Sequence, residues 1–241
     1  MKTFILTETQ RQASLVTGIA IVTMTIAAVI ANDITIRSLI VQNNAPETLE
    51  NILNSKTSYN LGVLSWLIVL VCDLFAAWGL YLFFKPVSKN LSLMAAWFRL
   101  TYVAMLAVSI LNLIYVYLII NQLDPTFVDP TGQTGKSILF YLNAFDAMWS
   151  AGLIVFGIHI LLIGYLALKS AYIPKILGIF LIIAFGGYTI PKISNLIFPE
   201  YKDIMRIVEA IFLIAMLSEV ALGMWLLIIG LRRNDNIKHN E

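Results

Sequence analysis

Long apolar stretches recur six times along the chain, each close to the length that a lipid bilayer demands of a helix. About 20 mostly apolar residues are needed to cross a hydrocarbon core about 30 Å thick. The first stretch covers about 12–32, between Arg11 and Asp33, and carries no charge. The next three cover about 61–84, interrupted only by Asp73; 91–120, with Arg99 near its start; and 147–168, with His159 inside. The last two cover about 176–196, with Lys192 near the far end, and 207–231, with Glu209 at the outer end and Glu219 inside. The pattern predicts an all-α, six-transmembrane-helix bundle, with residues 1–241 as a single transmembrane domain. The first stretch reads as an uncleaved span, because it exceeds the roughly 7–15 apolar residues of a signal-peptide core.

The connections order these helices. The links Lys85-Pro86-Val87-Ser88-Lys89 and Lys169 to Lys175 are short, so the second and third helices, and the fourth and fifth, run antiparallel. Pro86 and Pro174 punctuate the turns, since proline cannot extend the preceding helix. Two longer connections, Asp33 to Tyr59 and Asn121 to Asp146, fall on the opposite side. Within the first, Leu49, Ile52 and Leu53 share one helical face behind Pro46, which predicts a short amphipathic helix. In the second, Asp124-Pro125-Thr126 and Asp129-Pro130-Thr131-Gly132 are turn signals in series without the ligand spacing of a calcium loop. Gly186-Gly187-Tyr188 followed by Pro191 should loosen the fifth helix near its middle, most simply as a packing kink. Trp97 and Trp149 lie near span ends, where aromatic belts form.

Composition narrows the function classes. Hydrophobic residues make up 59% of the chain and charged ones 12%, against about 25% charged in soluble domains. With a mean hydropathy of +0.84, an ordinary soluble enzyme is excluded. A net charge of +2 is too small to recruit nucleic acid. The single Cys72 excludes an internal disulfide or a multi-cysteine metal site. No phosphate-cradling loop, nucleophile elbow or His/Cys metal spacing is present, so neither a cofactor nor a metal is expected. The expected partner is membrane lipid. Nine basic residues fall on the side of the termini and six on the other, the nine concentrated in short links. By the positive-inside rule both termini are cytoplasmic.

Four ionisable residues interrupt the apolar stretches: Asp73, Arg99, His159 and Glu219. Their depths follow from a rise of about 1.5 Å per residue, counted from the cytoplasmic basic row. Asp73 lies twelve residues from Lys85, about 18 Å. Arg99 lies ten from Lys89 and His159 ten from Lys169, each about 15 Å. Glu219 lies thirteen from Arg232, about 20 Å. All four occupy one slab near the bilayer midplane. Each alone would cost several kcal/mol on leaving water, whereas a guanidinium can satisfy two carboxylates at once. Such a cluster is a helix staple, a ligand or ion site, or a catalytic centre. As a site for a small molecule, proton or cation, Asp73 and Glu219 would accept the positive group. Arg99 would be the fixed counter-charge and His159 the titrating partner. The alternatives are a membrane-embedded enzyme acting on lipid, with His159 as general base, and a structural or sensory subunit.

Several segments resemble one family of bacterial membrane proteins, catalogued as domain of unknown function 4386. They are Asn51-Ile52-Leu53, Cys72-Asp73-Leu74, the link Lys85 to Leu91, Phe98-Arg99-Leu100, Phe156-Gly157-Ile158-His159 and Ile163-Gly164-Tyr165. The link Lys169 to Gly178, Ser218-Glu219 and Trp225-Leu226 belong to the same pattern. The resemblance implies six spans in a bacterial cytoplasmic membrane and places the four buried polar residues in the shared pattern. It implies no activity.

Orientation is directly testable. In a Cys72→Ser background, a cysteine at Thr131 should react with an impermeant thiol reagent in intact cells. Labelling only after the membrane is breached would reverse the assignment.

Overall fold

Every regular element among the described residues is helical. The structure, a computed structural model, describes residues 6–124, 127–129, 131–198 and 202–232. The helices are α1 (Glu8–Val29), α2 (Arg37–Leu39), α3 (Ala45–Asn54), α4 (Lys56–Phe84), α5 (Lys89–Gln122), α6 (Gln133–Lys169), α7 (Lys175–Ile197) and α8 (Lys202–Leu231). Among the described residues, five helices are long and apolar enough to cross a membrane: Glu8–Leu39, Lys56–Phe84, Lys89–Gln122, Gln133–Lys169 and Lys175–Ser194. In α8 most side chains between 202 and 216 lie outside the described residues, and the apolar stretch within them is Leu217–Leu231. The chain is a helical membrane protein.

Three features differ from expectation. Asp33 does not end the first helix; the backbone passes through a π-helical stretch, Ile30–Ile36, into α2. Asp33 is exposed there, so its charge costs the helix little. The fourth long helix starts at Gln133, well before 147, so much of the expected loop Asn121–Asp146 is helical. Asp146 and the polar residues before it end the apolar run, yet Ile138, Leu142 and Phe145 are buried at helical spacing. Asp129 Oδ2 accepts from the Gly135 amide at 2.9 Å, while Gly132 takes a left-handed φ of 66°. This fixes the turn that starts α6. Pro125, Thr126 and Pro130 lie outside the described residues. Lastly, α7 is unbroken through Gly186, Gly187 and Pro191. The amphipathic helix expected behind Pro46 is present as α3, with Leu49, Ile52 and Leu53 buried and Asn44 as its N-cap.

The chain forms two compact units, and α1, α4, α5 and α6 each contribute a segment to both. One unit holds residues 23–71 and 103–152. In it Trp66 meets Phe145 at 5.1 Å and Trp149 at 5.0 Å, both edge-on. Trp149, partly buried, thus packs in an aromatic group with Trp66 and Phe145. In the same unit the Tyr59 hydroxyl donates to the Leu113 carbonyl at 2.9 Å.

The other unit holds residues 1–22, 72–102 and 153–241. Its six helical segments touch in chain order and then close. Gly79 of α4 faces Thr17 of α1, Arg99 joins α5 to α4, and His159 of α6 reaches Ala95 of α5. Gly164 of α6 abuts Gly178 of α7, and α7 packs on α8. Gly223 of α8 returns to Gly18 and Ile21 of α1. Small residues let helices approach this closely in membranes. A Cβ on Gly18 would lie 2.7 Å from the Gly223 carbonyl oxygen and 2.9 Å from the Leu227 amide nitrogen.

Both obstacles at Gly18 are backbone atoms that cannot rotate away. Gly18→Ala should therefore cost about 1–3 kcal/mol, read as a lowered melting temperature in detergent. An unchanged melting temperature would contradict the α1–α8 contact.

Candidate functional site

All four polar residues singled out by depth lie in the second of these units and meet around one guanidinium. Each comes from a different helix: Asp73 from α4, Arg99 from α5, His159 from α6 and Glu219 from α8. Each follows a stripe of small or apolar residues that seats it inward; Ala76 and Ala77 beside Asp73, and Ala95 and Ala96 beside Arg99, are buried. Arg99 and His159 are fully buried, and Asp73 and Glu219 nearly so.

Arg99 uses its whole fork. Nε donates to Asp73 Oδ1 at 2.9 Å and Nη2 donates to the same oxygen at 2.5 Å. Nη1 donates to Glu219 Oε1 at 3.1 Å and lies 3.1 Å from His159 Nε2. The guanidinium thus makes the ion pair expected of it with both carboxylates. The face of Phe156 covers it 5.2 Å from Cζ, a cation–π contact.

The partners of His159 define its protonation. Its Nδ1 lies 2.8 Å from the Ala95 carbonyl oxygen, which can only accept. Its Nε2 faces an arginine nitrogen, which can only donate. The ring is therefore the neutral tautomer with hydrogen on Nδ1, holding Arg99 through a lone pair. With both carboxylates ionised, the centre carries one positive and two negative charges.

Depth reasoning from charged residues missed Tyr188. Its hydroxyl is turned toward Glu219, and its ring lies 5.1 Å from Phe156, edge-on. The signal was available: Tyr188 is thirteen residues beyond Lys175, about 20 Å along the helix, the depth of Glu219. Tyr102 completes the wall at 4.8 Å from Phe156. Beside Tyr188, the Thr189 hydroxyl is buried without a hydrogen-bond partner among the described residues, facing Gly157 of α6.

The family model described as "Domain of unknown function (DUF4386)" matches residues 16–230, which includes every residue of this centre. An uncharacterized protein of Archaeoglobus fulgidus is 30% identical over 168 residues, covering 70% of this chain and 83% of its own length. That relative comes from an archaeon, whereas the resemblance implied a bacterial family. No solved structure matches the chain.

The geometry makes Arg99 the most sensitive position. Arg99→Ala strands two buried carboxylates and should cost about 3–5 kcal/mol. Arg99→Lys should recover little, because one ammonium cannot reproduce the fork. Thermal melting of purified protein checks both; a lysine variant as stable as the parent would show that the fork is dispensable.

Proposed function

We propose that this chain, which belongs to the family described as domain of unknown function DUF4386, is a small proton-coupled transporter. Its binding centre is Asp73, Arg99, His159, Tyr188 and Glu219. The observation that carries this reading is the unequal charge around Arg99. One guanidinium serves two buried carboxylates while His159 stays neutral. A staple needs one acid for one base; a second carboxylate only adds desolvation cost. A surplus negative charge in the hydrocarbon interior is what a group that takes up a proton or small cation requires.

Within this proposal α8 is the sixth span, supported by its 30 helical residues and the apolar run Leu217–Leu231. Both termini lie in the cytoplasm, supported by the basic links Lys85 to Lys89 and Lys169 to Lys175. The lipid-enzyme alternative is less favoured by the bonding of His159. Both ring nitrogens are engaged, so neither is free to act as a general base on a substrate.

The test compares the parent with the triple replacement Asp73→Leu, Arg99→Met, Glu219→Leu, which keeps volume and removes all charge. Proteoliposomes holding a trapped pH-sensitive dye are exposed in turn to alkali cations, organic cations and amino acids. The parent should show solute-dependent proton movement that the folded triple variant lacks. A parent that moves no proton with any of them, alongside an equally stable triple variant, would leave the staple in its place.

A further inference from the structure

We infer that Glu219, rather than Asp73, is the carboxylate that takes up and releases the proton of this centre. The inference rests on the proton-coupled reading and names the group that carries it out. The two acids have different partners. Among the described residues, Asp73 is bonded by Arg99 through two charge-assisted hydrogen bonds, from Nε and Nη2. Glu219 receives a single N–H of Arg99, because the other hydrogen of Nη1 faces His159. The Tyr188 hydroxyl of α7 is turned toward it, beside Phe156. Neutralising Asp73 would weaken two ionic hydrogen bonds, and neutralising Glu219 only one.

The decisive difference is what the added proton meets. A protonated carboxyl is a donor and must find an acceptor when buried. Both Arg99 donors converge on Asp73 Oδ1, and among the described residues no hydroxyl is bonded to Asp73, so a proton on its Oδ2 has no established acceptor. A tyrosine hydroxyl both donates and accepts. On protonation of Glu219, Tyr188 turns its hydroxyl and accepts from the new O–H, while Asp73 and Arg99 remain as a neutral pair. On deprotonation, Tyr188 donates to the Glu219 carboxylate and the centre holds one net negative charge. The exchangeable ligand is therefore a single positive charge, and Tyr188 reports its presence to α7.

The neighbouring charges agree with this order. Around Glu219 stand Asp73 from α4, Arg99 from α5 and Tyr188 from α7, with His159 of α6 on the same Arg99 nitrogen and Tyr102 of α5 beside Phe156. The adjoining α1 carries no titratable residue between Gln12 and Asn32. The like charge of Asp73 favours proton uptake at the less firmly paired acid.

Infrared difference spectroscopy of the full-length protein in lipid tests the assignment. Acidification of the parent should produce a carboxylic-acid C=O band that the Asp73→Leu, Arg99→Met, Glu219→Leu variant lacks. Protein carrying ¹³C in its glutamate side-chain carboxyls should show that band shifted, and ¹³C-aspartate protein should show it unmoved. Tyr188→Phe, which changes no charge, should raise the band's frequency by removing its hydrogen-bond acceptor. It serves as the comparison if the triple variant does not fold. A shift with ¹³C-aspartate, or a band indifferent to Tyr188→Phe, would overturn the assignment to Glu219 while leaving proton uptake intact. Absence of any such band in the parent would overturn the proton-coupled reading itself.

Discussion

A guanidinium placed about 15 Å from the membrane surface has to be neutralised and fully hydrogen-bonded, or the helix carrying it will not stay there. Arg99 meets that constraint by recruiting three other helices. The Nε–Nη2 edge of its fork fixes α4 through Asp73, and Nη1 fixes α8 through Glu219 and α6 through His159. Because the fork is planar and rigid, the directions of its N–H groups dictate where those helices stand. Hydrophobic matching to lipid cannot do this, since lipid tails are as apolar as the side chains they meet. One polar residue thus supplies an arrangement that the apolar pattern leaves open.

The glycine contacts are the complement of that polar centre. Arg99 determines which helices meet, and Gly18, Gly79, Gly164, Gly178 and Gly223 determine how closely. Close approach keeps His159 and Arg99 out of contact with water. It thereby makes each ionic hydrogen bond stronger than it would be at a surface and makes any unmatched charge more expensive. A net charge of minus one is tolerable at a protein surface. In a ring of helices that excludes water it carries a high desolvation cost.

Much of this centre was legible in the sequence, because charge inside an apolar run is costly and therefore conspicuous. Counting residues from the basic row placed Asp73, Arg99, His159 and Glu219 at one depth, and they do meet. Tyr188 sits at that depth too but has no charge, so a search for charged residues passes over it. The Ala95 carbonyl, which fixes the tautomer of His159, belongs to the backbone and leaves no mark in the side-chain pattern. The boundaries failed for a different reason. Apolar runs report where lipid is met, whereas helices extend as far as capping and local packing allow. So α6 begins at the Asp129 turn, and the π-helical stretch after α1 carries the helical path past Asp33.

A buried centre that exchanges a proton has to be reached, and the hydrogen bonding of the ring identifies where access costs least. Around the guanidinium, Asp73, Arg99, His159 and Glu219 of α4, α5, α6 and α8 are committed to one another. The polar groups of α7 are less so. The Thr189 hydroxyl is buried without a partner among the described residues, and Pro191 has no N–H to offer the Gly187 carbonyl four residues earlier. Water entering beside α7 gains hydrogen bonds from groups that otherwise forgo them, each lost bond being worth about 1–3 kcal/mol. Water entering along any of the other four would compete with ionic bonds already made. Tyr188 stands next to that hydroxyl. Under the proposed assignment of the proton to Glu219, the acid therefore adjoins a stretch of α7 with unmet hydrogen bonds, and a change of its charge would alter the hydration of that helix.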